Sequence, residues 1–111
     1  MTLSTHVLDA SRGKPAAQVP LILFRRAGDA WQRVGAGTTD EDGRCATLAP
    51  DGLGTAVYRL VFDTQTYFRA AGISGFFYPE VSITFRVTES ERHHHVPLLL
   101  SPYAYSTYRG S

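Results

Sequence analysis

A single cysteine, Cys45, stands in a chain of 111 residues, so no intramolecular disulfide can form. With no nucleophile motif around it, Cys45 reads as a small strand residue. Long apolar runs are also missing: no window approaches the about 20 residues that a membrane-crossing helix needs. The opening MTLSTHVLDA lacks the charged and apolar regions of a secretory leader. The expectations are therefore no membrane partner and a cytoplasmic setting. Charge of one sign is scarce, since the formal net charge is +1 and the longest cationic run is Arg25-Arg26. Nucleic acid is not expected as a partner, because no basic stripe is present to hold a phosphate backbone. There is no P-loop, no G-x-G-x-x-G, no internal repeat and no low-complexity segment. Nothing marks a second domain, and residues 1–111 read as one.

What is present is a series of short alternating runs. Hydrophobic residues at 43% and charged residues at 19% suffice for a packed core with a wet surface. Strands are expected over 3–9, 19–26, 31–37, 44–48, 56–63, 80–88, 93–100 and 103–109, divided by turn signals such as Ala27-Gly28-Asp29, Asp40-Glu41-Asp42-Gly43 and Ser101-Pro102. Residues 12–15 read as a loop, and 44–48 as a strand pairing after the acidic turn. Residues 64–71 read as a helix of about two turns, capped by Asp63 or Thr64 and ended by Gly72. Some eight strands with one short helix predict an all-β, two-layer antiparallel sandwich.

Alternation assigns faces. In 3–9, Leu3, Thr5 and Val7 oppose Ser4, His6 and Leu8; in 93–100, Val96, Leu98 and Leu100 oppose His95, Pro97 and Leu99. The second set in each strand mixes imidazole with aliphatic side chains, which suits a subunit contact that also lines a pocket. His6 is open to two readings, a partly buried strand histidine or a catalytic one. In His93-His94-His95 only His93 and His95 can share a face, and no Cys or Asp/Glu cluster at a familiar spacing completes a metal site. No metal is expected, and His93 and His94 read as surface histidines. Arg44 opens a strand directly after a tight turn, where its fork of donors can be aimed at a planar, carbonyl-rich or anionic ligand.

Three motifs carry more together than singly: LSTHVLD at 3–9, the Asp42-Gly43-Arg44 turn, and HVPLLLSPYAYSTYRGS at 95–111. They resemble the 5-hydroxyisourate hydrolases, the transthyretin-like enzymes of urate degradation. The resemblance runs over essentially the whole chain, including the short helix and FFYPEVSITF at 76–85. The terminal Tyr108-Arg109-Gly110-Ser111 discriminates. Transthyretin, the hormone carrier on the same fold, is similar through LSPYAYST, departs after it, and lacks the paired histidines. The family often has an aromatic residue where this chain has His94.

The resemblance implies a two-sheet, eight-stranded sandwich assembled as a homotetramer, a dimer of dimers, with sites in the channel where dimers meet. The Ser4/His6/Leu8 and His95/Pro97/Leu99 faces would line that channel. It implies hydrolysis of 5-hydroxyisourate to 2-oxo-4-hydroxy-4-carboxy-5-ureidoimidazoline by histidine-assisted attack of water on the lactam carbonyl, with no cofactor. His6, Arg44 and His95 fall on the family's catalytic positions, and Tyr108, Arg109, Gly110 and Ser111 on its substrate-binding tail. Two other readings compete: a transthyretin-like carrier of a small aromatic ligand without chemistry, and a structural sandwich whose mixed faces are only oligomer contacts.

Overall fold

A computed structural model describes residues 2–111. Period-2 alternation sets up β1 (Leu3–Asp9), in which Leu3, Thr5, Val7 and Asp9 are buried and the residues between them reach solvent. A short β2 (Lys14–Pro15) returns against its end. Strands β3 (Pro20–Ala27) and β4 (Ala30–Thr38) form a hairpin closed by Gly28-Asp29, with Ala27 opposite Ala30. Then follow β5 (Arg44–Cys45), β6 (Ala56–Phe62), α1 (Thr64–Ala70), β7 (Val81–Val87), β8 (His94–Ser101) and β9 (Ala104–Thr107).

Two sheets result. One runs β2-β1-β8-β9 with β5 also on β1, and the other runs β4-β3-β6-β7. Leu3, Val7, Leu98 and Leu100 of the first meet Leu21, Leu23, Leu60 and Phe62 of the second, all buried. Each such side chain contributes about 1.5–3 kcal/mol through removal from water. Helix α1 forms where Asp63 accepts from the Thr66 amide (3.1 Å) and hydroxyl (2.7 Å), and it buries Tyr67 and Phe68 against the core.

The two-layer sandwich and the single short helix agree with expectation. Four details do not. Residues 14–15 pair with β1 instead of looping free. The strand expected over 44–48 stops at Cys45, because the chain then turns inward to bury Leu48 and Ala49. Those two strand residues cross to the other sheet, where Cys45 faces Thr5 and Arg44 faces His6. The remaining ladders are antiparallel, but β1 and β8 run parallel, joined by side-chain bonds such as Thr5 Oγ1 to the Val96 carbonyl at 2.6 Å, 91 positions apart. Hairpin signals specify only neighbours in sequence, so this pairing leaves no local trace.

Candidate active site

Three strand registers bring the chemistry together. In the β1–β8 ladder Ser4 lies opposite His95 and His6 opposite Pro97. In the β1–β5 pair His6 lies opposite Arg44. Their β1 and β8 neighbours Leu3, Val7 and Leu98 point into the core, so Ser4, His6, Arg44 and His95 share the outer face of the first sheet.

The acidic turn aims Arg44. Asp40 Oδ1 accepts from the backbone amides of Asp42 and Arg44, both at 2.9 Å, and the Asp40 amide donates back to the Arg44 carbonyl at 2.8 Å. Gly43 adopts φ +76°, and a Cβ there would lie 2.3 Å from the Val7 carbonyl oxygen. Only glycine lets the turn press onto β1, where the Val7 amide donates to the Gly43 carbonyl at 2.7 Å. Arg44 is thereby delivered next to His6 with its side chain exposed.

His95 is half-buried, and its imidazole is held on two sides. Ser4 Oγ lies 2.7 Å from its Nδ1. Gly110 bridges to it through the backbone, the Gly110 amide donating to the His95 carbonyl at 2.9 Å, and packs against the ring. Partial burial pushes the His95 pKa down, and the positive charges of Arg44, His6 and His93 push it the same way. His95 is therefore neutral at physiological pH with a lone pair available.

The tail divides. Gly110 reaches His95, while Tyr108 and Arg109 are exposed and line a cleft of about 270 Å³ at the sandwich edge between β7 and β8. Ser111 is exposed beyond them. In the same cleft His94, expected at the surface, is instead buried on the core side of β8, its Nδ1 donating to the Arg92 carbonyl at 2.9 Å. Burial holds its pKa down, with Arg109 and Arg92 acting in the same direction. Alternation already placed residue 94 with Val96, but a polar residue beside two other histidines reads as solvated.

Sequence reasoning gave Ser4 and His93 no chemical role. Ser4 Oγ also lies 2.9 Å from His93 Nε2, and His93 Nδ1 contacts the Thr2 hydroxyl. His93 and His95 sharing a face was visible in the spacing; the register that sets Ser4 between them was not.

A family model described as the HIUase/Transthyretin family matches residues 3–110. The chain belongs to this family. Among HIUase/Transthyretin members it is similar to the 5-hydroxyisourate hydrolase of Salmonella dublin, 43% identical over 110 residues covering 98% of this chain and 80% of the relative. The solved 5-hydroxyisourate hydrolase of Klebsiella pneumoniae matches with a TM-score of 0.87 at 36% identity, covering 99% of this chain and 98% of that one. Sea bream transthyretin in complex with thyroxine matches with a TM-score of 0.89 at 32% identity, covering 97% and 93%. Hydrolase and transthyretin thus share this backbone equally, and within the HIUase/Transthyretin family the side chains on the outer face must separate the two.

Proposed function

We propose that the protein hydrolyses 5-hydroxyisourate to 2-oxo-4-hydroxy-4-carboxy-5-ureidoimidazoline. The observation that carries this reading is a neutral-biased His95 on the same open sheet face as His6 and Arg44. Opening the lactam between N1 and C6 needs a water made nucleophilic near neutral pH and compensation for an oxyanion on C6. His95 Nε2 takes the proton as the water oxygen bonds to C6. His6 orients that water, and Arg44 holds the planar ring and offsets the developing negative charge. The C6–N1 bond then breaks, N1 leaves with a proton, and C6 remains on C5 as a carboxylic acid that ionises to the carboxylate. Redox chemistry has no part in these steps. Tyr108, Arg109, Gly110 and Ser111 form the remaining wall around the substrate.

Assembly as a homotetramer, a dimer of dimers, belongs to the same reading. It is supported by the edge strands β7 and β9, whose outer backbone groups lack a partner strand among the described residues, and by the partly exposed Leu8 and Leu99 on the mixed face. Fractionation of the native cell checks the cytoplasmic setting expected from the sequence.

The deciding experiment follows the decay of 5-hydroxyisourate absorbance. His6→Asn and His95→Asn are each expected to lose about 100-fold or more in kcat/KM, the usual worth of a positioned acid–base group. In the parent enzyme the acid limb of kcat/KM should fall below the ordinary histidine value of about 6.5. Near-parental decay in both variants would remove the catalytic assignment.

A further inference from the structure

We propose that Ser4 and His93 form a proton wire that connects His95 to solvent. The inference rests on the hydrolase reading above and adds residues that act through His95 and touch no substrate.

The geometry is a chain of four side chains. Ser4 Oγ stands between two imidazoles, 2.7 Å from His95 Nδ1 and 2.9 Å from His93 Nε2, and His93 Nδ1 contacts the Thr2 hydroxyl. A serine hydroxyl owns one proton, so it donates to one ring and accepts from the other. The two rings therefore cannot choose their tautomers independently. His95 Nε2 has no protein partner among the described residues, which leaves it as the nitrogen that meets water. A lone pair on Nε2 puts the neutral ring's proton on Nδ1. That proton is donated to Ser4 Oγ, Ser4 donates to His93 Nε2, and His93 Nδ1–H donates to Thr2. Every link is paired, and all point outward.

This polarity serves the reaction. When His95 Nε2 takes a proton from the attacking water, its Nδ1 proton passes to Ser4 Oγ while the Ser4 proton passes to His93 Nε2. Ser4 stays neutral, His95 becomes neutral again as the Nε2–H tautomer, and the positive charge arrives on His93. His93 is solvent-exposed, whereas His95 is half-buried beside Arg44 and His6. The charge thus moves from a site of poor hydration and like-charge repulsion to one that water stabilises. Release of the His93 Nδ1 proton leaves a wire of reversed polarity, to which the Thr2 hydroxyl can donate. His95 Nε2–H is then the acid that protonates N1 as the C6–N1 bond breaks. The reverse shift, with a proton entering at His93, restores the starting state. One wire carries a proton out for attack and one in for departure, and the carboxylic acid product ionises separately.

The test uses the full chain with Ser4→Ala, Ser4→Thr and His93→Gln, assayed in dilute and in concentrated imidazole buffer. In dilute buffer, Ser4→Ala and His93→Gln should lose about ten- to a hundredfold in kcat. KM should stay within about twofold, because the binding groups are untouched. Ser4→Thr keeps the hydroxyl and most of the rate, and concentrated imidazole should restore His93→Gln. Parental kcat in both deletions, or losses that neither threonine nor imidazole repairs, would overturn the wire. Nitrogen-resolved NMR of the histidine rings gives a readout independent of turnover. It should show His95 as the Nδ1–H tautomer in the parent and a changed tautomer balance for both His93 and His95 in Ser4→Ala. Rings unaffected by Ser4→Ala would overturn the wire whatever the activity. Coupled rings in a protein that does not consume 5-hydroxyisourate would support the wire and sink the hydrolase reading instead.

Discussion

A Cβ at position 110 would sit 2.4 Å from Cδ2 of His95 and 3.0 Å from its Cγ, and so would push against the flat of the ring itself. The penultimate residue of the tail must therefore be glycine if His95 is to keep its Ser4 bond. Gly110→Ala is expected to lower kcat by about ten- to a hundredfold, since small misplacements of an acid–base group are costly. The melting temperature should barely move, because the tail lies outside the core. An alanine variant with parental kcat would show that the ring tolerates displacement. The buried Asp9 has a different importance. It accepts from Tyr67 Oη (2.6 Å), Ser11 Oγ (2.7 Å) and the Arg12 amide (3.1 Å). Burial raises its pKa, but these bonds outweigh burial and hold it below the usual 3.8, while burial and Asp9 push Tyr67 up to about 12. A depressed carboxylate stabilises the fold above its unfolded pKa, and that contribution is lost as pH falls through the folded value. Asp9→Asn should cost about 1–3 kcal/mol at neutral pH, the penalty for a mispaired buried polar group. Its stability should then decline less steeply than the parent's below about pH 4. Denaturant titrations across that range check both. Asp9, the end of an alternating strand, gave no sequence sign of this network, because its partner Tyr67 comes from a helix 58 positions away.

Single strands were legible because burial on one sheet face imposes a period of two. The sets Leu3/Val7 and Leu98/Leu100 face the core as their spacing dictates, and Asp63 caps α1 where its side chain can reach Thr66. Pairings were less legible. Residues 44–45 follow a strong turn signal, which suggests a return along the preceding strand, yet they cross to β1. The reason lies in Gly43 and Val7, whose backbones interlock only in three dimensions. Adding a methyl group at Gly43 should therefore damage both stability and site. Gly43→Ala forces an L residue to φ +76° and drives Cβ toward the Val7 carbonyl. The expected cost is about 1–3 kcal/mol of stability. Arg44 would lose its alignment with His6, so KM for 5-hydroxyisourate should rise with the melting temperature falling. A fall in melting temperature with KM unchanged would mean that Arg44 is aimed by something other than this turn.

Across the whole molecule, the outer face of the first sheet carries two kinds of side chain that make different demands. His6, Arg44 and His95 need water and substrate, whereas the partly exposed Leu8 and Leu99 gain from losing water. A lone sandwich satisfies only the first group. The proposed packing of two dimers face to face would satisfy both, with the aliphatic residues sealing a channel whose polar floor stays wet. Leu99 is the sharpest probe, because it is partly exposed, lies opposite Leu8 and Ser106, and is absent from the buried core. Leu99→Asp should leave each sandwich folded, with an unchanged far-ultraviolet circular dichroism spectrum. In the assembled state it would bury an unpaired carboxylate, at a cost of several kcal/mol, enough to shift association by orders of magnitude. Light scattering should accordingly report loss of the tetramer, and 5-hydroxyisourate turnover per protomer should fall with it if the channel completes each site. A tetrameric mass in Leu99→Asp would refute the placement of this face at the contact between dimers. A dissociated variant with parental turnover would instead show that one sandwich holds everything the chemistry needs.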